Sequence, residues 1–491
     1  MEYLPYDETD PISIETYAQG LIGSTFKDIL VSEIKEENEL YQKIDYYDNP
    51  RSKGGLGNLI EEYYFLYKPN SESAADFYEA GVELKVTPYE VKKNKELKAG
   101  ERLVLGMIPF DREIPATLEE SHIIEKISLM LLVLYRRDRN KKRTDYRIDY
   151  VSLLALFSEE LKDDFEVLKS DYQIIREKIV TGRAHELSES DTMYLGACTK
   201  GSTAKKSLQP QFYNPTVRAK RRAFSLKQGY MTYIINKYIQ PGVKTYTPIE
   251  VQPEGIISFE SLVRSLVAPY IGQTSKAIQY QLGIEISHSK NMLSRLVLNM
   301  LGVRGDNAEE FEKSNTIVKT LSFESNGSLR ESMSFPIIDY KDFAKEEWED
   351  SWLYKFFSEN RFLFAVFQKN TQGERVFKGV KFWNMPAKLL DGTVYDEWKQ
   401  NQNIIRNNNV TFKLSTNNTV KNNLPKKSQT KVIHMRPHAS KSAYRIQSLG
   451  FEKGNIERDG NQLPNGDWMT KQCFWLNNSF LQGLLADYID I

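Results

Sequence analysis

The segment AGVELKVTPYE, residues 80–90, alternates apolar and charged positions along the chain. Apolar side chains occupy every second position, and Glu83 and Lys85 occupy positions between them. This period of two is typical of a strand with one apolar and one charged face, and the pattern predicts that the strand ends at Thr87 and Pro88. Glu83 and Lys85 are therefore expected to point to the same side of a sheet.

Two further segments have clear hydrophobic patterns. Residues 127–135, ISLMLLVLY, form an unbroken apolar run that predicts a buried strand and is far shorter than the ~20 residues of a membrane-spanning helix. Residues 53–65, KGGLGNLIEEYYF, predict a glycine turn followed by an amphipathic helix. The core-facing positions of that helix are Leu56, Leu59, Ile60 and Tyr63. Glu61 on the same helix could reach the charged face of the first strand, and the turn lacks the GxxxxGK[ST] spacing of a nucleotide-binding loop.

The order of these patterns predicts an α/β protein with two domains. Helical and strand-like segments alternate over residues 1–240. Residues 241–255, PGVKTYTPIEVQPEG, contain three prolines and two glycines and are interpreted as a linker. A second globular region covers residues 256–491. Within it, the Asn-rich segment 401–431 predicts loops with short exposed strands.

The two halves of the chain contain four pairs of similar segments in the same order. The pairs are AGVELKVTPY with SNTIVKTLSF, ISLMLLVLY with RFLFAVFQ, MYLGACTKGS with VIHMRPHAS, and RAFSLKQGYMTYII with KQCFWLNNSFLQGLL. Coincidence can explain one pair, but four pairs in register predict a duplicated domain. Ile317 stands where the first half has Glu83, and Leu298 where it has Glu61. Any chemistry that depends on these acids is therefore assigned to the first half.

Composition limits the class of protein. A chain of 491 residues with 40% hydrophobic residues can bury a large core. The acidic N-terminal segment MEYLPYDETD lacks the basic and apolar regions of a signal peptide, which predicts a cytoplasmic protein. Cys198 and Cys473 match no zinc or redox spacing and are interpreted as free thiols.

The basic residues are clustered, although the formal net charge is zero. This balance excludes a uniformly basic nucleic-acid binder. However, residues 136–147 are strongly basic, and residues 200–227 contain many cations and no acid. Runs of charge are usually solvated surface. The functional alternative is a surface that follows the phosphates of a nucleic acid.

The acids of the first half have a spacing that suits a metal site. Six residues separate Asp76 from Glu83, enough for a tight turn that brings the two carboxylates together. Converging carboxylates repel unless a cation lies between them, and such oxygen ligands suit Mg²⁺. Lys85 could then position or deprotonate an attacking water. This spacing is typical of metal-dependent nucleases, but about one chain in five of this length would contain it by chance.

Several ordered motifs together resemble a known family. These are KGxxGxxxE, the triplet Asp76, Glu83 and Lys85 within GVELK, then GRAHELSE, YLxxxTKG and AFSLKxGYM. They are similar to the MutH mismatch-repair endonucleases, and still more to the two-domain type II restriction endonucleases that cut at GATC. The resemblance covers essentially the whole chain. It implies a mixed α/β fold of two tandem restriction-endonuclease-like domains, each a mixed sheet flanked by helices, with the second a degenerate copy of the first.

The resemblance also implies roles for individual residues. The implied catalytic residues are Glu61, Asp76, Glu83 and Lys85, with Asp76 and Glu83 as the Mg²⁺ ligands. The implied DNA-binding residues are Lys53, Lys126, Lys200, Lys227, Arg436 and His438. Lys200 would read guanine, since a lysine on a rigid loop can donate to O6 and N7 in the major groove. Ser225 stands where MutH has a tyrosine associated with sensing adenine methylation, so that property is not carried over.

The implied activity is Mg²⁺-dependent cleavage of double-stranded DNA at 5′-GATC-3′, leaving 5′-phosphates. One active site cuts one strand, so a palindromic site calls for two chains, for bridging of two sites, or for sequential nicking. A cognate DNA methyltransferase would be the functional partner. The second domain is interpreted as a DNA-binding or effector module, with a structural remnant as the alternative. The other candidate functions are a MutH-type repair nickase and a catalytically silent DNA-binding protein.

Overall fold

The structure is a computed structural model. It describes residues 4–50, 55–69, 74–200, 207–242, 246–249, 258–284, 291–305, 307–415, 417 and 419–490. The chain divides into two compact units, of which the first is Met1–Pro248 with Asn307–Thr316 and the second is Ile249–Asp306 with Ile317–Ile491. The main division falls inside the predicted linker, but the short segment from Asn307 to Thr316 belongs to the first unit rather than to the second.

Helices and strands alternate in the first half of the chain. The helices are α1 Pro11–Ala18, α2 Phe26–Glu33, α3 Glu37–Asp48, α4 Gly55–Tyr63, α5 Ile124–Ser128, α6 Lys162–Val180 and α7 Gln228–Ile234. The strands are β1 Glu83–Val91, β2 Leu97–Ala99, β3 Leu103–Met107, β4 Met130–Arg136, β5 Ile148–Leu154, β6 Leu195–Thr199, β7 Leu208–Gln209, β8 Ala219–Lys220 and β9 Arg222–Leu226.

The second half has the same mixed character. Its helices are α8 Phe259–Val267, α9 Ser275–Leu282, α10 Met292–Met300, α11 Glu309–Lys313, α12 Tyr340–Lys345, α13 Trp352–Glu359, α14 Ala387–Leu389, α15 Tyr395–Arg406, α16 Ile456–Asp459 and α17 Asn478–Leu484. Its strands are β10 Thr316–Phe323, β11 Met333–Ile337, β12 Arg361–Lys369, β13 Arg375–Trp383, β14 Phe412–Leu414, β15 Val420–Asn422, β16 Ile433–Pro437, β17 Tyr444–Ile446, β18 Phe451–Lys453, β19 Gly460–Gln462, β20 Trp468–Thr470 and β21 Gln472–Leu476. None of the described helices is long and apolar enough to cross a lipid bilayer.

The first unit is built around a mixed sheet in the order β2-β1-β4-β5. β1 is parallel to β4, with Glu83 opposite Met130, whereas β2 and β5 are antiparallel to their neighbours. Helices cover both faces of β4, whose residues from Met130 to Tyr135 are all buried. Leu131 shares a core with α2 and α4, and Leu132 shares another core with α6. Burial on both faces explains the continuous apolar run of this strand.

The second unit repeats this arrangement. Its sheets β10-β12-β13 and β11-β21-β16 correspond to the β1-β4-β5 and β3-β9-β6 sheets of the first unit. The four pairs of similar segments lie in equivalent strands, namely β1 and β10, β4 and β12, β6 and β16, and β9 and β21. The predicted fold class, two mixed α/β domains with one a copy of the other, is therefore confirmed.

Two predicted strand ends are wrong. β1 continues through Thr87 and Pro88 to Val91, because its partner β4 continues beside it and the Pro88 carbonyl accepts a hydrogen bond from the Gly100 N–H at 2.7 Å. Proline lacks an N–H, but its carbonyl can still bond. At the start of the apolar run, Ile127 belongs to α5, so the strand begins three residues later than predicted.

The Asn-rich segment is only partly loop. β14 and β15 are the expected short strands, but α15 extends to Arg406 and includes residues predicted as loop. The Asn401 and Gln402 side chains are buried in this helix, and each amide is a hydrogen-bond donor. Asn401 Nδ2 donates to the Glu397 carbonyl at 2.8 Å, and Gln402 Nε2 donates to the Phe343 carbonyl at 2.9 Å. The two amide N–H donors are paired, whereas the buried Asn401 Oδ1 has no hydrogen-bond partner among the described residues, and a prediction based on polarity does not anticipate such burial.

Helix α11 packs against α7 within the first unit. Lys313 on α11 is 5% exposed, and its ammonium pairs with Asp164 at 2.6 Å and with Glu309 at 2.7 Å. A buried charge needs such partners. Contact between the two helices also needs a glycine at position 229, since a Cβ there would lie 1.9 Å from the Glu312 carbonyl oxygen.

We therefore expect Gly229→Ala to destabilise the protein by about 1–3 kcal/mol through overpacking. Thermal unfolding followed by circular dichroism should show a lower Tm. The control is Gly483→Ala in α17, where a Cβ would meet no atom within 4 Å. That variant should be neutral or gain up to about 1 kcal/mol from helix propensity. Equal Tm values for both variants would contradict the close packing of α11 on α7.

Candidate active site

A tight turn before β1 brings Asp76 alongside the strand. Phe77 and Val82 form an antiparallel bridge, with N–H to carbonyl distances of 2.9 and 3.2 Å in the two directions. Asp76 Oδ2 then accepts a hydrogen bond from the Leu84 N–H at 2.9 Å. The six-residue spacing thus produces the expected turn, which joins this carboxylate to the backbone of the strand that carries Glu83.

The Glu83 carboxylate lies between two lysines. It is 2% exposed, at the first residue of β1. Lys85 Nζ donates to its Oε1 at 2.5 Å, and Lys126 Nζ on α5 lies 3.1 Å from Oε1 and 3.3 Å from Oε2. The two ammonium groups compensate a carboxylate that would otherwise be costly to bury. Lys126 thus lies at the centre of the site, 43 residues away from Glu83 in sequence.

Glu61 and Asp76 complete a group of three acids. The pKa of Glu61 is raised to about 7, mainly by burial and next by the charge of Asp76, whose effect is larger than the opposing effect of Lys85. Burial also raises the pKa of Asp76, with the charge of Glu83 as the next contribution. The charge of Glu83 therefore makes ionisation of Asp76 more difficult, and the charge of Asp76 does the same to Glu61. A bound cation would remove this repulsion.

The donor chemistry of this site fits a hard divalent cation. Among the described residues, no group of three or more His, Cys, Asp or Glu side chains forms a ready-made metal cage. Mg²⁺ does not need one, since it commonly binds through one or two carboxylates and completes its shell with water and substrate phosphate. The carboxylates that would hold it are those of Glu83 and of Asp76, which accepts a hydrogen bond from the N–H of Leu84, the residue after Glu83.

Tyr67 is a site residue that sequence reasoning missed. Its hydroxyl is buried and has no hydrogen-bond partner among the described residues. Its N–H donates to the Glu61 carbonyl at 3.0 Å, and its ring packs 5.5 Å from the Phe77 ring. Burial and the charges of Asp76 and Glu61 raise the pKa of Tyr67 far above its ordinary range. The hydroxyl stays protonated, as a donor beside the acids, but EYYFLY contains no signal that singles out this tyrosine.

Lys200 directly follows β6, an outer strand of the β3-β9-β6 sheet of the first unit. Its N–H donates to the Arg221 carbonyl at 2.8 Å, and the residue is half-buried. The backbone at the predicted base-reading lysine is thus held by a hydrogen bond to a neighbouring segment. The rest of that loop, residues 201–206, and the predicted DNA-binding residue Lys53 lie outside the described residues.

Lys227 does not lie on the surface. It is 0% exposed, and its ammonium donates to the Thr192 carbonyl. The charge of Lys227 favours the ionised form of Asp171. Asp171 in turn accepts hydrogen bonds from the N–H groups of Met193 and Leu195 at 2.7 and 2.9 Å. The structure therefore argues against the predicted DNA contact and indicates that Lys227 orders the segment leading into β6. A lysine directly after a strand looks like a surface cation in sequence, because its burial depends on distant residues.

The second unit has an open pocket at the position of the Lys200 loop. Its volume is about 420 Å³, and it is lined by Arg436, Pro437, His438, Ala439, Ser440 and Trp475. Arg436 is exposed and its guanidinium lies 4.1 Å from the centre of a Trp475 ring. His438 Nδ1 lies 3.2 Å from Cys473 Sγ. The predicted DNA-binding residues of this unit therefore share one exposed surface.

In the second unit, apolar residues stand at the positions of two of the acids, Ile317 for Glu83 and Leu298 for Glu61. Ile317, at the position of Glu83, packs against the hydrophobic core. Lys319, at the position of Lys85, has a pKa lowered by burial. The predicted asymmetry between the two units is thus seen in their side chains.

Comparisons with known proteins match the region that contains this site and, in one case, nearly the whole chain. The family model for the DNA mismatch repair enzyme MutH matches residues 65–171, a range that includes Asp76, Glu83, Lys85 and Lys126. The type II restriction enzyme Sau3AI of Staphylococcus aureus is 33% identical over 466 residues, which are 89% of this chain and 94% of that protein. The DNA mismatch repair protein MutH of Vibrio campbellii is 25% identical over 189 residues, which are 38% of this chain and 80% of that protein. The MutH protein of Yersinia pestis is 26% identical over 141 residues, which are 29% of this chain and 58% of that protein.

The similarity to a type II restriction enzyme over nearly the whole of both chains, together with the MutH match over residues 65–171, shows that the protein is a DNA endonuclease. The chain belongs to the MutH-like type II restriction endonucleases. It is accordingly an enzyme that cleaves DNA at specific sites, and the motif resemblance stated from the sequence is confirmed.

The pKa of Glu61 predicts how stability depends on pH. The pKa of Glu61 is about 7 in the folded protein and ordinarily 4.5. Between pH 4.5 and pH 7, the folded state therefore binds more protons than the unfolded state does. Stability should therefore fall as pH rises from about 4.5 to about 7. Glu61→Gln removes this loss, so in EDTA the Tm of the variant should exceed that of the wild type at pH 8 and match it near pH 5.

The control for this experiment is Glu79→Gln, which changes an exposed carboxylate in the turn between Asp76 and Glu83. Its Tm should follow the wild-type curve at both pH values. A Tm difference for Glu61→Gln that is the same at pH 5 and pH 8 would show that folding does not raise the pKa of the Glu61 carboxyl.

Proposed function

We propose that this protein cleaves double-stranded DNA at 5′-GATC-3′ in the cytoplasm, with Mg²⁺ bound by Asp76 and Glu83, and leaves 5′-phosphates. The observation that carries the proposal is the clustering of Asp76, Lys85 and Lys126 around Glu83. The sequence GATC rests on the motifs shared with endonucleases that cut there. Restriction endonucleases in general use a divalent metal ion, and the hard oxygen ligands of this site favour Mg²⁺.

The protein's own groups have distinct tasks in the proposed reaction. The bound metal ion would act as a Lewis acid on the scissile phosphate and on a water. Asp76 is kept at the site by the Leu84 N–H. Lys85 assists in-line attack of the water and compensates charge on the phosphate. Attack breaks the bond between phosphorus and the 3′ oxygen, so the phosphate stays on the 5′ end.

Glu61 and Lys126 support this reaction. With a pKa of about 7, the Glu61 carboxyl can exchange a proton at neutral pH and orient the water, the metal or Lys85. Lys126 pairs with Glu83 in the protein alone and can turn to the phosphate when a cation takes over the carboxylate. Both lysines then offset the negative charge that develops at the phosphate.

The second unit is proposed to bind DNA without cutting it. Arg436 is exposed beside Trp475, and an arginine can donate two hydrogen bonds to guanine O6 and N7. Since one chain has one set of acids, cleavage of both strands needs two chains on the site, or sequential nicking and rebinding. A cognate DNA methyltransferase would protect the host's own GATC sites.

A plasmid digest tests the cleavage proposal. Unmethylated plasmid incubated with the protein and Mg²⁺ alone should be cut at every GATC, and sequencing of the ends should give the cut position and the 5′-phosphates. Glu83→Ala should abolish cleavage and retain specific binding in Ca²⁺, whereas Glu79→Ala should cut normally. Only nicked circles would favour the MutH-type nickase, and cleavage by Glu83→Ala would contradict the active site.

Binding stoichiometry tests the role of the second unit. In Ca²⁺, we expect one chain to bind two short GATC duplexes, as measured by analytical ultracentrifugation. Arg436→Ala should leave one duplex per chain, because loss of a guanine contact costs about 1–3 kcal/mol. The control Arg445→Ala removes an exposed arginine of the same unit that is paired with Glu452 at 2.9 Å. One duplex per wild-type chain would count against DNA binding by the second unit.

A further inference from the structure

The connection between β4 and β5, residues 137–147, has a charge that the proposed active site does not use. We call it the basic loop. Its eleven residues RDRNKKRTDYR include six cations and two acids, a net charge of +4. The cations are Arg137, Arg139, Lys141, Lys142, Arg143 and Arg147.

Part of this charge is neutralised within the first unit and part is not. Arg137 pairs with Glu101 at 2.9 Å, and Arg147 pairs with Asp149 at 2.6 Å. In contrast, Arg139 and Lys141 are exposed and have no acidic partner among the described residues. Their charges are available to a partner that carries negative charge.

The loop is held in place by its neutral and paired residues. Asp48, at the end of α3, accepts hydrogen bonds from the Thr144 N–H at 2.9 Å and from the Thr144 hydroxyl at 2.8 Å. Arg143 donates to the Asn49 carbonyl at 2.9 Å. The Asn140 N–H donates to Asp138 Oδ1 at 3.0 Å. A loop ordered in advance loses less conformational entropy when it binds a partner.

The location of the loop relative to the acids follows from the register of β1 and β4. Glu83 lies opposite Met130 and Tyr89 lies opposite Arg136, so the end of β4, directly before the loop, is six residues along the sheet from Glu83. At ~3.3 Å per residue this is about 20 Å. Duplex DNA rises ~3.4 Å per base pair, so 20 Å corresponds to about six base pairs.

Helix α4 provides a second connection between the loop and the active site. A Cβ at Gly55, where α4 begins, would lie 3.3 Å from Arg143 Nη2. Glu61 is located near the other end of the same helix. The loop and the acids are thus attached to the same two elements, α4 and the central sheet, and both belong to the first unit.

We propose that the basic loop binds the sugar–phosphate backbone of duplex DNA outside the recognition sequence, through Arg139 and Lys141. The proposal rests on the proposed function, since it needs a duplex at the Glu83 site. A four-base-pair site cannot extend six base pairs from the cut, so these contacts are made to DNA of any sequence. They raise affinity through release of counterions and make binding strongly dependent on salt.

The test measures binding of two GATC duplexes in Ca²⁺ by full-length Glu83→Ala protein. One duplex has 24 base pairs and the other 8, with GATC in the centre of each. Adding Arg139→Ala and Lys141→Ala should reduce the slope of log K against log salt by about 1.8 on the long duplex, at about 0.9 per lost phosphate contact. Affinity for the long duplex should fall at least tenfold, and affinity for the short duplex should not change.

The control double variant, Lys93→Ala with Lys162→Ala, removes two other exposed cations of the first unit and should leave both slopes unchanged. Retained binding of the short duplex shows that the loop variant is folded. A second double variant, Arg139→Gln with Lys141→Gln, repeats the test. An unchanged slope on the long duplex would overturn the proposal, and so would equal loss on both duplexes.

Failure of the proposed function is a separate result. If Glu83→Ala protein with an intact loop binds GATC and unrelated duplexes equally well, the GATC assignment fails. In that case, a reduced slope for the loop variant on both long duplexes would still support a backbone-binding loop.

Discussion

The site depends on the burial of one charge, the carboxylate of Glu83. At 2% exposure it is almost fully removed from water, and an isolated charge in that position would be strongly destabilising. Its ion pairs with Lys85 and Lys126 compensate this cost. Each pair requires a different part of the fold. Lys85 needs the two-residue repeat of β1, and Lys126 needs α5 to lie just before β4, which pairs with β1.

The other two acids show that this compensation is incomplete. Two lysines balance Glu83, but the pKa values of Glu61 and Asp76 are raised, by burial first and by the neighbouring carboxylates next. The cores on both faces of β4 stabilise the sheet that holds these groups in place. The protein alone therefore keeps excess negative charge in a partly buried place. A cation that binds there is favoured because it removes repulsion, in addition to forming its own bonds to oxygen.

How much could be predicted from the sequence depended on distance along the chain. The Asp76 turn and the shared face of Glu83 and Lys85 are local, so spacing and period were sufficient. Lys126 is 43 residues away from Glu83, and only the family resemblance suggested it. The buried positions of Lys227 and Tyr67 were not predicted, because residues far apart in sequence determine whether a polar side chain is enclosed. For the same reason α15 continues into the Asn-rich segment, where Asn401 is buried and hydrogen-bonded.

The second unit shows which residues the sheet requires in order to form and which it does not. Its equivalent sheets have the same strand order, but Ile317 replaces Glu83 and packs against the core. An apolar residue is thus compatible with this position, and it avoids the cost of burying an ion pair. The charged group of the first unit is therefore not required to form the sheet. Because the same fold forms with Ile317 in place of Glu83, the proposed reaction on DNA, rather than formation of the sheet, explains the carboxylate at this position.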